Sequence, residues 1–123
     1  IEAGTLKWWM KQSDQARLQF SQSTGSIGEI LSDFSYWVGA SSNLYMWGNG
    51  SDFDNSHLAE AYKACKMEVP WNFWNSRCFR TLKGLFPDVE PSLKVGTKHN
   101  ALNDALVQAH HLIKIFKDNE LSY

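Results

Sequence analysis

Leu44-Tyr45-Met46-Trp47-Gly48-Asn49-Gly50-Ser51-Asp52-Phe53-Asp54-Asn55 decides the fold class, because it holds the one clear strand pattern in the chain. The apolar and aromatic run Leu44 to Trp47 reads as a buried strand, closed by Gly48-Asn49-Gly50. Asp54 then falls in the first turn of a helix from Asp52 to about Met67, marked by Phe53, His57 or Leu58, Ala61, and Ala64 or Cys65, and stopped before Pro70. A strand end beside a helix start is where α/β proteins commonly hold ligands, and glycine there lets the backbone turn tightly and approach a ligand closely. The same carboxylate would also complement the positive end of the helix dipole, a purely structural role.

Upstream, Thr5 is a candidate N-cap ahead of Leu6, Trp9, Met10 and Leu18, whose spacing predicts a helix broken near Ser13. After the Ser/Gly-rich residues 21–28, Ile27, Ile30, Leu31, Phe34 and Trp37 or Val38 recur at three and four, a second amphipathic helix ending near Gly39. Ser41-Ser42-Asn43 is a turn. Downstream, Pro70 to Asn75 reads as extended or irregular, Arg77 to Phe86 as a short helix, and Pro87 to Gly96 as a loop between prolines. Ala101, Leu102, Ala105, Leu106, Ala109, Leu112, Ile113 and Phe116 put a wide apolar face on a long helix from about Asn100 to Lys117.

The chain has 123 residues, enough for one domain, and its 43% hydrophobic content with 6 Trp, 7 Phe and 4 Tyr is that of a packed protein. A net charge of −1 excludes the global positive field of proteins that coat duplexes, so any contact with phosphates is local. Cations held by carboxylates would supply positive charge at such a point. Cys65 and Cys78 are too few for a disulfide framework or a zinc site and are expected to be reduced and structural. With no apolar run of about eighteen residues and no leader pattern, the expectation is no membrane contact and a cytoplasmic location.

His99-Asn100-Ala101-Leu102-Asn103-Asp104-Ala105 sets a histidine just before or at the start of the last helix and an aspartate about a turn and a half later. A neutral imidazole takes a proton from water near neutral pH, and a carboxylate holds a hard cation. Alone, the segment reads as a capping histidine and a solvated first-turn acid. Combined with Asn49-x-x-x-Phe53-Asp54, it resembles the second and third exonuclease motifs of the DEDDh, or DnaQ-like, 3′–5′ exonucleases in order and spacing. The chain is most similar to the phage-type exonuclease A, or 3′–5′ exoribonuclease, branch. That likeness is carried by Trp8-Trp9 with Gln12-Ser13, by Trp47-Gly48-Asn49-Gly50 with Phe53-Asp54-Asn55, by Pro70-Trp71-x-Phe73-Trp74-Asn75 with Arg80-Thr81, and by His99-Asn100-Ala101-Leu102 with Asp104-Ala105-x-x-Gln108-Ala109.

The resemblance implies an α/β, RNase H-like fold, Mg²⁺ or Mn²⁺ as cofactor, single-stranded DNA or RNA 3′ ends as partners, and release of nucleoside 5′-monophosphates. In that chemistry two metals stabilise the attacking and leaving oxygens of an in-line displacement. By motif, His99 is the general base, Asp104 a direct metal ligand, Asp54 a carboxylate of the metal cluster, and Asn49 a neighbouring orienting residue. Position 103 is Asn where relatives often have Asp. Family members open with an apolar strand bearing Asp-x-Glu-Thr, which this chain lacks. Its two Asp-x-Glu triplets, Asp88-Val89-Glu90 and Asp118-Asn119-Glu120, follow the other motifs and sit on no apolar strand. The expectation is one exonuclease domain over 1–123, N-terminally truncated and helix-rich, in which a lone strand at Leu44 to Trp47 would lack a partner and invite pairing into a homodimer.

Trp71, Phe73 and Trp74 either stack bases of a single strand or belong to the core. Arg77, Arg80, Lys83, Lys94 and Lys98 either touch phosphates or are solvated surface; His57, three residues after Asp54, either approaches the site or lies on the helix surface; and His110 and His111 read as structural or exposed. The rival to a working nuclease is a catalytically inactive, prophage-like remnant that oligomerises or binds nucleic acid without cutting it.

Overall fold

A computed structural model of the chain describes residues 2–22, 25–39, 43–50, 52–93 and 99–122. Among these the helices are α1 (Ala3–Met10), α2 (Asp14–Gln22), α3 (Ile27–Val38), α4 (Asp54–Ala64), α5 (Phe79–Leu85) and α6 (Ala101–Asp118). The strands are β1 (Met46–Gly48) and β2 (Ser76–Cys78), and Phe73–Asn75 forms a 3₁₀ turn. The chain divides into two compact units, Gly25–Val89 and Ile1–Thr24 with Glu90–Tyr123.

The unit Gly25–Val89 is organised by its sheet. β1 and β2 run parallel, with Met46 opposite Ser76, Trp47 opposite Arg77 and Gly48 opposite Cys78. Parallel neighbours require a crossover of about a dozen residues or more, and α4 supplies it, so β1, α4 and β2 make a βαβ unit. This corrects the expectation of a lone strand, and with it the unpaired strand that argued for a homodimer. It also divides the helix expected over Arg77 to Phe86: residues 76–78 are extended and only Phe79–Leu85 is helical. Ser76-Arg77-Cys78 has none of the β-branched or aromatic enrichment of strands, so pairing with β1 is what holds it extended. For the same reason β1 sits at Met46–Gly48 rather than over Leu44 to Trp47, because ladder partners set its ends and apolar content does not.

The core lies between α3 and α4. Ser26 and Glu29 form a capping box that starts α3, and Gly39 ends it at a φ of 71°, a positive value that glycine tolerates. Tyr62 of α4 is wholly buried. Its hydroxyl donates to the Leu31 carbonyl at 2.9 Å and lies 2.7 Å from Ser35 Oγ, fastening α4 to α3. The Trp71 ring meets the Tyr62 ring edge to face at 6.1 Å, and Leu44, Met46, Leu58 and Val69 pack against this cluster.

In the other unit, α1 and α2 are separated at residues 11–13, as the sequence spacing suggests, and Ser13 Oγ accepts the Ala16 N–H at 3.2 Å to start α2. The cap of α1 is Glu2 rather than Thr5: its carboxylate accepts the N–H groups of Gly4 and Thr5. α6 begins on Asn100, whose Oδ1 accepts the Asn103 N–H at 3.0 Å, and Lys114 Nζ donates to the Glu90 carbonyl at 2.9 Å. No helix of the described residues is long and apolar enough to cross a membrane.

Two outcomes are expected of this framework. Tyr62→Phe keeps the ring and removes the donor to Leu31, so urea unfolding should report a loss of about 0.5–1.5 kcal/mol at unchanged m. The Ser26 hydroxyl and backbone N–H hold the Glu29 carboxyl below the usual glutamate range. Its stabilisation is therefore fully present above the unfolded glutamate value and is lost as pH falls through the lowered folded one. Circular dichroism should show helix content falling on acidification, and Glu29→Gln should remove that part of the fall.

Candidate active site

At the carboxyl end of β1 the chain turns back on itself with little room. A Cβ at Gly48 would stand 2.6 Å from Asn55 Oδ1 and 3.0 Å from Asp54 Cβ, so only glycine lets the first turn of α4 come this close. Asn55 uses that closeness. It is 7% exposed, and its Nδ2 donates to the Met46 carbonyl at 3.0 Å, tying the start of α4 to the first residue of β1. Asp54 is the first residue of α4, with an exposed side chain whose Oδ2 accepts the Asn49 backbone N–H at 2.5 Å. The Phe53 side chain makes no capping hydrogen bond to α4. Asn49 thus orients Asp54 through its main chain, not its amide side chain. His57 Nδ1 lies 2.7 Å from the Phe53 carbonyl and its ring rests on Phe53 at 4.5 Å, a local role on the helix surface.

His99 and Asp104 belong to the other unit. His99 is exposed and holds φ at 65°, a left-handed conformation uncommon for a residue with a Cβ. It does not cap α6, since Asn100 does. Its ring meets Trp8 of α1 edge to face at 4.9 Å. Asp104 is half-buried in the opening of α6, its N–H donating to the Asn100 carbonyl at 2.9 Å. Asp54 therefore shares a unit with Asn49, while His99 and Asp104 share the second one.

The aromatic block separates into two environments. Trp71 is 7% exposed and belongs to the core, which removes it from the candidate base-stacking residues. Phe73 and Trp74 are 81% and 62% exposed and meet edge to face at 4.9 Å on the 3₁₀ turn. Arg77 is engaged locally: Nη1 donates to the carbonyls of Trp74 and Ser76, and the guanidinium lies 4.6 Å from the Tyr45 ring centre. Lys94 and Lys98 lie outside the described residues, as do Ser41 and Ser42 of the expected turn. His111 is buried and His110 exposed. Of the Asp-x-Glu triplets, Asp88 lies in a turn and Asp118 ends α6, so neither is on a strand. Cys78 has a structural task, its Sγ accepting the Thr81 N–H at the start of α5.

Carboxylate oxygens are the donors that Mg²⁺ and Mn²⁺ prefer. Among the described residues, however, no three His, Cys, Asp or Glu side chains come together in a way that could hold an ion. The described donor set does not by itself make a metal centre.

The chain is thus an α/β protein whose βαβ unit carries an exposed carboxylate, Asp54, on the first turn of its helix, while His99 precedes α6 and Asp104 lies in that helix's first turn. Residues 1–116 match the family described as Rv2179c-like, the 3′-5′ exoribonuclease Rv2179c-like domain, and the chain belongs to that family. It is a member of a 3′–5′ exonuclease family, for which nuclease function and a nucleic-acid substrate follow. No curated protein and no solved structure matches the chain.

Asn55 was the residue sequence reasoning left without a task, although it stands in the quoted motif; its position directly after the motif aspartate is the signal. Asn55→Ala should cost about 1–3 kcal/mol by orphaning the Met46 carbonyl. Gly48→Ala should cost a similar amount, about 1–3 kcal/mol, through overpacking at the same junction. Unfolding of the double variant should show a loss well short of the sum, since both changes break one contact.

Proposed function

We propose that the chain is a metal-dependent 3′–5′ exonuclease of the DEDDh type, near the phage-type exonuclease A branch, with its two units as parts of one RNase H-like domain. It acts in the cytoplasm on single-stranded DNA or RNA and releases nucleoside 5′-monophosphates from the 3′ end. The observation that carries this reading is Asp54, an exposed carboxylate held by the Asn49 N–H at the carboxyl end of β1, in a chain of a 3′–5′ exonuclease family.

Asp54 and Asp104 are the carboxylates assigned to Mg²⁺ or Mn²⁺. Because the described donors make no complete centre, the roles that follow are those of this chain's side chains alone. His99, exposed and near the start of α6, accepts the proton of the attacking water. Phe73 and Trp74 offer an aromatic surface on which bases of a single strand can stack, a contact worth about 1–3 kcal/mol per base.

The test is release of label from a 3′-labelled single-stranded oligonucleotide in the presence of Mn²⁺. Trimming should be abolished by Asp54→Ala and by Asp104→Ala, and His99→Ala should lower kcat by about 10²–10⁴-fold. Binding without trimming would replace this reading with that of an inactive remnant. Trimming that survives both carboxylate substitutions would remove Asp54 and Asp104 from the site.

A further inference from the structure

Trp8 and Trp9 stand among the motif residues, yet nothing so far gives them a task. Four rings in the unit that contains them meet edge to face in succession. Phe20 of α2 contacts Trp9 at 4.7 Å and 86°, Trp9 lies against Trp8 at 4.9 Å and 84°, and Trp8 contacts His99 at 4.9 Å and 82°. Perpendicular contacts are the arrangement that ring quadrupoles favour, so each ring limits the tilt of the next. Burial does not account for the last link, because Trp8 is 44% exposed.

His99 is a residue that needs outside support. Its φ of 65° is a conformation that surroundings must impose on a residue with a Cβ, and the second torsion of a histidine side chain is intrinsically broad. A general base has to present one nitrogen within hydrogen-bond reach of the proton it takes. Trp8 is well placed to limit that freedom, since it projects from α1, whose start is fixed by the Glu2 carboxylate.

We propose that Trp8 is the positioning residue of His99: its indole, backed by Trp9 and Phe20, holds the imidazole in one orientation. The catalytic meaning of this contact rests on the general-base assignment made above, whereas the contact can be tested without it. In the intact chain, the imidazole C–H resonances of His99 should be displaced by the Trp8 ring current. Trp8→Ala should return them to random-coil positions, and Trp8→Phe should keep part of the displacement. Should Trp8→Ala fail to fold, His99→Gln supplies the reciprocal measurement, moving the Trp8 indole N–H resonance and leaving that of Trp71 in place.

With a 3′-labelled oligonucleotide and Mn²⁺, Trp8→Ala should lower kcat while KM stays unchanged, and Trp8→Phe should recover most of the loss. Imidazole resonances that are identical in the native chain and Trp8→Ala overturn the proposal, as does a kcat indifferent to Trp8→Ala in an enzyme that His99→Ala inactivates. A ring-current displacement that vanishes in Trp8→Ala, found together with activity that survives His99→Ala, supports the positioning contact and refutes the general-base assignment.

Discussion

The hydrogen bond from the Asn55 amide to the Met46 carbonyl, and the absence of a Cβ at Gly48 that permits it, govern how the Gly25–Val89 unit is assembled. An amide and a carbonyl buried without partners would each carry a desolvation cost, so the pair stands or falls together. At its other end α4 is held by the Tyr62 hydroxyl on α3. Asn55 and Tyr62 are seven residues apart, about 10 Å along a helix, so α4 is fixed at two points and can neither slide nor rotate freely. That double attachment directs the crossover from β1 to β2. It also explains how a three-residue segment with poor strand character, Ser76-Arg77-Cys78, becomes part of a sheet.

The same attachment gives Asp54 its place. The carboxylate projects from the first residue of a fixed helix and is steadied by a main-chain N–H, so its position depends on backbone geometry and hardly at all on the side chain at position 49. His99 is held differently. It precedes α6 in a left-handed conformation, and its ring meets that of Trp8 edge to face. In the roles proposed for them, a cation-holding Asp54 would gain from rigid placement, whereas a proton-accepting His99 would need a defined ring orientation with room to engage its substrate.

The sequence displayed the helical parts of this molecule well. α3 and α6 carry long three-and-four periodicities with Ser26 and Asn100 immediately ahead of them, and their observed limits follow these signals. β2 was hidden because its extended form comes from a partner thirty residues away and from no local preference. Trp71, Phe73 and Trp74 are alike in composition, and only packing separates the core tryptophan from the exposed pair. Asp54, His99 and Asp104 were recognisable as candidates through spacing. Their supports were not, because the bond from Asn55 and the contact from Trp8 join residues whose nearness only the folded chain reveals.

Uptake of Mn²⁺ by the purified chain, followed as loss of the free-ion paramagnetic resonance signal, tests most directly whether Asp54 is a metal-holding carboxylate of a nuclease. The account predicts uptake by the native chain, weakened at least about tenfold by Asp54→Asn with helix content unchanged. Uptake that is the same in Asp54→Asn, or no uptake by the native chain, would contradict it.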